Sequence, residues 1–191
     1  EVVILDKGQS GVARISASLS DREGIDAIHI ISHGNESGVS LGSDWLTSEN
    51  VDGFAWQIDE WQFALGEDAD LLIYGCDLAS SESGHALLES LSASCDCDVA
   101  ASDDDTGQAV LGGDWDLEFT TGDIEARLPF SQTVRGAWAH LLATDTVRDE
   151  FISVAYNGNN GTDSWSNDWQ EVGESDGPAF GKILIGTAYG Q

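Results

Sequence analysis

The sequence predicts an α/β domain built on a mostly parallel sheet, followed by a shorter β-rich segment. Two apolar runs, IDAIHIIS at 25–32 and ADLLIY at 69–74, read as buried strands. They alternate with stretches of helical periodicity, the pattern of a parallel sheet covered on both faces. After Leu142 that periodicity stops and Gly, Asn, Ser and Asp cluster around Tyr156, Trp165 and Trp169, as in a β-sandwich.

Taken in order, residues 2–5 form a short apolar run, and Val12, Ile15 and Leu19 then repeat at helical spacing. With the strand at 25–32 they make a β-α-β unit. Residues 39–46 alternate about Gly42-Ser43, which predicts a small hairpin. Val51, Phe54, Ala55, Ile58, Trp61 and Leu65 fall on the i, i+3, i+4, i+7 pattern of one long amphipathic helix. The strand at 69–74 ends at Gly75-Cys76. Beyond it the sequence predicts a helix at 83–93, a strand at 98–101 and an acidic loop at 103–107. Further strands are predicted at 115–120 and 124–128, and a closing helix at 130–141.

The domain boundary falls at 142/143. The tail, 143–191, is too short for a whole sandwich of about 100 residues and reads as the start of one. The chain opens on Glu1 with no signal peptide, so it reads as a segment of something longer.

Composition narrows the partners. Hydrophobic residues make up 41% of the chain, enough for a sizeable core. Thirty-five Asp and Glu against 7 Lys and Arg give a net charge of -28, which repels phosphate backbones and so argues against nucleic acid as a partner. No apolar stretch reaches the ~20 residues that span a bilayer, so no membrane insertion is expected. Three cysteines are too few for a disulfide scaffold and leave at least one free thiol if pairing is internal. Cys95 and Cys97, two positions apart, make an awkward pair.

Two residues stand out for chemistry. His33-Gly34 follows the strand at 25–32 and Cys76 follows the strand at 69–74. In open α/β sheets ligands bind beyond the carboxyl ends of the strands, so both side chains belong on the functional edge. A thiol attacks as the thiolate, and a nearby imidazole can take its proton. The backbone N–H groups of Gly34 and Cys76 are candidates to cradle an oxyanion. His33 precedes Cys76 by 43 positions, near the separation of about 50 in caspases. The plainer reading is a buried core cysteine and a strand-end histidine with a structural hydrogen bond. His29, His85 and His140 show no metal-ligand spacing and read as structural.

The segments IDAIHIISHGNESGVSLG and ADLLIYGCDLASSESG, with GGDWDLEF further on, resemble the domain of unknown function 4347 (DUF4347) of large bacterial surface and adhesin-like proteins. That group is similar to the caspase-like (clan CD) cysteine peptidases. The resemblance covers about residues 1–142 and implies a caspase-like three-layer sandwich in which His33 is the general base, Cys76 the nucleophile and Gly34 an oxyanion donor. It also implies a secreted or cell-surface location in a bacterium. Cys76 sits in Tyr-Gly-Cys-Asp rather than Gln-Ala-Cys-x-Gly, so caspase specificity does not transfer. The family's first strand would lie ahead of Glu1.

Asp77 adjoins Cys76, and Asp103, Asp104 and Asp105 follow the next strand, on the same sheet edge. Carboxylates there would favour a Lys or Arg on the acyl side of a cleaved bond, and Arg148 would then be a place for self-cleavage. The competing reading is calcium or plain solvation. No cofactor is required; calcium is the candidate ion, and in the tail Asp163, Asp168, Glu174 and Asp176 could contribute oxygens to it. The sequence thus supports a cysteine endopeptidase acting on protein or peptide substrates, its own chain among them. The alternatives are an inactive caspase-like binding or assembly module of an adhesin, or a structural spacer.

Overall fold

The structure, a computed structural model, describes residues 1–143. The chain divides into two units, Glu1–Thr144 and Asp145–Gln191. Apart from Ala143, the predicted β-rich tail, with its four acids and Arg148, lies outside the described residues.

The first helix, α1 (Gly11–Leu19), begins where the Ser10 hydroxyl accepts the Ala13 N–H at 3.2 Å, an N-cap that meets one of the unpaired amides of the first turn. It buries Val12, Ile15 and Leu19. Strand β1 (Ile25–Ile31) follows, then a small antiparallel sheet of β2 (Gly34–Asn35), β3 (Gly38–Leu41) and β4 (Asp44–Thr47). The hairpin about Gly42-Ser43 is therefore present, with β2 added to it. Gly42 has a φ of +63°, and a Cβ there would lie 2.3 Å from the Gln9 carbonyl oxygen, so only glycine suits the turn.

The long helix predicted over 51–65 is broken. Short 3-10 turns, Val51–Phe54 and Glu60–Phe63, flank α2 (Ala55–Asp59). Buried Val51, Ile58 and Trp61 keep the apolar spacing. Trp61 Nε1 donates to Ser16 Oγ at 2.8 Å, tying this segment to α1. Strand β5 (Leu65–Tyr74) starts where that helix was expected to end. It is followed by α3 (Glu82–Cys95), β6 (Asp98–Ala101), β7 (Phe119–Thr120) and α4 (Gln132–Ala137).

The main sheet has the order β1-β5-β6-β7; β1, β5 and β6 are parallel and β7 is antiparallel. This is a mixed α/β architecture with a mostly parallel sheet. Right-handed crossovers that extend a sheet in one direction leave their helices on one face. Accordingly Leu71 and Ile73 of β5 share a core with Val12, Ile15, Ile58, Trp61, Leu87, Leu88 and Leu91. The opposite face, Leu72 and Tyr74, is covered by Trp115, Leu142 and other residues of 115–143, in which α4 is the only helix. The expectation of helices on both faces is corrected to this extent.

Other differences have local causes. Residues 2–5 form no strand, and Val2 and Ile4 are exposed. Strand β1 is an edge strand among the described residues, so Ile31 is partly exposed while β5, paired on both sides, is buried from Ala69 to Tyr74. Of the strand predicted at 115–120 only β7 remains, and 124–128 is not a strand. There the buried Asp70 carboxylate accepts the N–H groups of Glu125 and Ala126 at 3.0 and 2.7 Å, replacing a ladder. Cys95 and Cys97 are joined as a disulfide across Asp96, whose left-handed conformation (φ 50°) ends α3 and turns the sulfurs together. Cys76 is the free thiol.

Candidate active site

Strand register sets the site. Ile31 of β1 pairs with Tyr74 of β5, and Ser32 N–H donates to the Tyr74 carbonyl at 3.1 Å. His33 and Cys76 thus each stand two residues beyond the last register pair, at neighbouring strand ends. Glycines let these ends touch. A Cβ on Gly34 would lie 3.1 to 3.2 Å from backbone atoms of Gly75 and Cys76, and one on Gly75 would lie 3.3 Å from the Ser32 carbonyl oxygen.

Cys76 is fully buried. Thr106 N–H donates to its Sγ at 3.2 Å, and the thiol faces the Thr106 carbonyl at 3.6 Å. Burial pushes the thiol up to about 12; the Thr106 N–H pulls against this, and the carboxylates of Asp105 and Asp77 add to it. His33 is exposed on its edge, with Nδ1 2.7 Å from the Ala143 carbonyl oxygen. A carbonyl only accepts, so Nδ1 carries the hydrogen there and the neutral ring keeps Nε2 free as a base.

What joins the two is a segment that the sequence placed in and just after a helix. Helix α4 stops at Ala137, one residue after the poor helix former Gly136, and Trp138 turns to extended backbone. Residues 140–143 then pair with the 106–108 loop on one side and with Gly34 of β2 on the other. Gln108 N–H donates to the His140 carbonyl at 3.1 Å, Leu142 N–H to the Thr106 carbonyl at 2.8 Å, and Gly34 N–H to the Leu142 carbonyl at 3.2 Å. Leu141 bridges Gly107 in antiparallel sense and Ala143 bridges Gly34 in parallel sense. Gly107 has a φ of +139°, and a Cβ on it would fall 2.4 Å from the His140 carbonyl oxygen. The Leu142 side chain is buried in one cluster with Leu72, Tyr74, Cys76 and Trp115. Trp115 packs on Tyr74, Phe130 and Trp138 with ring centroids 6.0, 5.2 and 5.7 Å away.

The acidic residues sit around this centre. Asp77, with a φ of 57°, donates its N–H to the Asp104 carbonyl at 2.8 Å. Its carboxyl is raised by burial first and then by Asp105, Glu36 and Asp103. Asp103 and Asp104 are exposed, and with Glu118 their carboxylate oxygens come within 4.8 Å of one another. The Asp104 carboxyl is raised by partial burial and by Asp114 and Glu118. Exposed acidic groups of this kind are common without an ion. Among the other histidines, His85 Nε2 lies 2.7 Å from the Ala79 carbonyl and its ring stacks on Phe119. His29 stacks on Tyr74, and burial lowers its pKa against the pull of Asp70.

The candidate site residues Gly34, Cys76, Asp77 and Asp104 are thus in backbone contact, directly or through one neighbour. Sequence reasoning missed Thr106, Gly107, Leu142 and Ala143. Helix-breaking Gly136 ahead of the apolar Leu141-Leu142 was the available signal.

Fold and site together define an α/β domain with a histidine and a cysteine at adjacent ends of parallel strands. Over residues 1–142 the chain matches the family described as a domain of unknown function (DUF4347), and it belongs to that family. Neither a curated protein nor a solved structure matches it. Among the described residues no helix is long and apolar enough to cross a membrane.

Proposed function

We propose that this domain is a caspase-like cysteine endopeptidase in which Cys76 attacks a peptide carbonyl and His33 takes and returns the proton. The observation that carries this reading is the emergence of His33-Gly34 and Cys76 side by side from paired strand ends, with glycine backbone between them. The Gly34 N–H already meets a peptide carbonyl, the contact an oxyanion donor makes. The Cys76 N–H is the second donor in this scheme. The substrate is a protein or peptide, and the acidic surface disfavours nucleic acid. The proposed setting is a large bacterial surface or adhesin-like protein, with calcium as a candidate ligand of the acidic groups and not a participant in the chemistry.

One observation favours a second reading, an inactive binding or assembly module: Cys76 is buried and its thiol strongly disfavours ionisation. The two separate by experiment. The full chain is incubated with a fluorogenic peptide library, beside Cys76→Ala, His33→Ala and a Cys95→Ala, Cys97→Ala variant. A peptidase loses activity in the first two and keeps it in the third. Hydrolysis that survives Cys76→Ala, or none by any chain, overturns the proposal.

A further inference from the structure

Resting on the peptidase reading, this inference extends it to the substrate. We infer that residues 140–143 lie in the cleft as the domain's own substrate, that the bond cut is Leu142–Ala143, and that the acyl-side pocket takes leucine.

Three features support it. Residues 140–142, with bends at His140 and Leu142, are held by backbone hydrogen bonds with Thr106 and Gln108 on one side and Gly34 on the other, main-chain contacts of the kind by which a bound peptide is gripped. The carbonyl that receives the Gly34 N–H is that of Leu142, which singles out the peptide bond to Ala143 as the one an oxyanion donor polarises. The Leu142 side chain fills an apolar cluster whose members include Cys76 itself, while His33 reaches the next residue, Ala143. Nucleophile, donor and base therefore converge on residues 142–143. Glycine at 107 is what admits the strand, since any side chain there would strike the His140 carbonyl.

The chemistry balances without a further reactant than water. His33 takes the Cys76 proton, Sγ bonds to the Leu142 carbonyl carbon, and the oxygen becomes an oxyanion facing Gly34 N–H. Collapse breaks the bond to the Ala143 nitrogen, which leaves as an amine with the proton from His33. A water deprotonated by His33 then hydrolyses the thioester, giving a Leu142 carboxylate and restoring the thiol. The segment from 143 onward is released, and the emptied pocket is open to chains with leucine at the same position. This places an aliphatic residue where the acids Asp77, Asp103 and Asp104 had suggested a basic one.

Intact mass of the 191-residue chain, followed at several protein concentrations, tests this. The wild type should yield residues 1–142 and 143–191 at a rate independent of concentration, and Cys76→Ala should stay whole. Leu142→Met should cleave within about 10-fold of wild type, whereas Leu142→Arg, forcing a charge into the apolar pocket, should slow about 100-fold or more. A thermal melt of Leu142→Arg separates this from misfolding. A peptide ending in His-Leu-Leu and carrying a coumarin amine is hydrolysed in parallel. A cut at another bond, a cut that persists in Cys76→Ala, or equal rates for the Met and Arg variants overturns the inference. An uncut wild type that hydrolyses the coumarin peptide overturns self-cleavage alone; one that hydrolyses no peptide of any sequence overturns the peptidase reading as well.

Discussion

The two faces of the main sheet are covered by different means. On one face, Leu71 and Ile73 pack against helices whose apolar residues recur at helical spacing. On the other, Leu72 and Tyr74 are covered by a run from Trp115 to Ala143 with little regular structure, held by aromatic packing and by the Asp70 carboxylate. The first is a core that stabilises; the second is a cover that also holds Cys76 and Leu142. Packing on the first should decide whether the domain folds, and contacts on the second should decide what the thiol meets.

The largest effect belongs to the helix face. Leu88→Ala removes a fully buried side chain of α3, and such truncations cost roughly 2–5 kcal/mol, or on the order of 10 °C in Tm. Measured in a His33→Ala background, which keeps the chain whole under the proposed chemistry, the melt should fall while alkylation of Cys76 by iodoacetamide in the folded protein stays slow. A Leu88→Ala chain that melts like its parent would break the division between the faces.

Asp70→Ala tests how the other face is attached. The carboxylate is fully buried in β5 and accepts two backbone N–H groups of the cover; leaving buried donors without it costs roughly 1–3 kcal/mol. The expected outcome is a smaller fall in Tm than Leu88→Ala, with faster hydrogen exchange at Glu125 and Ala126. Unchanged exchange there would mean the cover is held by its aromatic residues alone.

The same division explains what was legible in the sequence. The helix face follows from periodicity: Val12, Ile15 and Leu19, then Val51, Ile58 and Trp61, lie where the pattern put them, even though 51–65 breaks into turns rather than forming one helix. Strand ends were legible as well, so His33 and Cys76 could be placed on one edge from the two apolar runs. Residues 115–143 were not. Their backbone partners are Asp70, Thr106, Gln108 and Gly34, far away in sequence, and local propensity carries no trace of such contacts. Leu141-Leu142 therefore read as the end of a helix.

Gly107→Ala acts on the site side alone. The residue's φ of +139° and the His140 carbonyl oxygen 2.4 Å from a would-be Cβ both oppose a side chain, and a strained position of this sort costs roughly 1–3 kcal/mol. Residues 140–143 should lift from the cleft. In the His33→Ala background Cys76 should then alkylate faster while Tm changes less than in Leu88→Ala. Alkylation at the parental rate would show that something other than this segment seals the thiol.

The smallest effect concerns pH and isolates the buried thiol. Cys76 ionises near 9.0 in an unfolded chain and is pushed up to about 12 in the folded one. Between these values the unfolded state binds fewer protons, so stability must fall as pH rises, and it is unaffected by this group well below pH 9. By pH 10 the loss amounts to about 1.4 kcal/mol relative to neutral pH. Tyr74, raised from 10.0 to about 12 by burial, adds a loss of the same sign that begins a unit higher. Urea unfolding at pH 7, 8, 9 and 10 resolves the thiol's share, comparing Cys76→Ala with its parent in a His33→Ala, Cys95→Ser, Cys97→Ser background. That background prevents both self-cleavage and thiol–disulfide exchange in the unfolded chain. The two curves should run parallel up to about pH 8 and then converge or cross as the parent loses its margin. Curves that stay parallel to pH 10 would mean that the thiol ionises as freely in the folded domain as in the unfolded chain. Cys76 would then be reachable by water, and the seal formed by Leu142 would be incomplete.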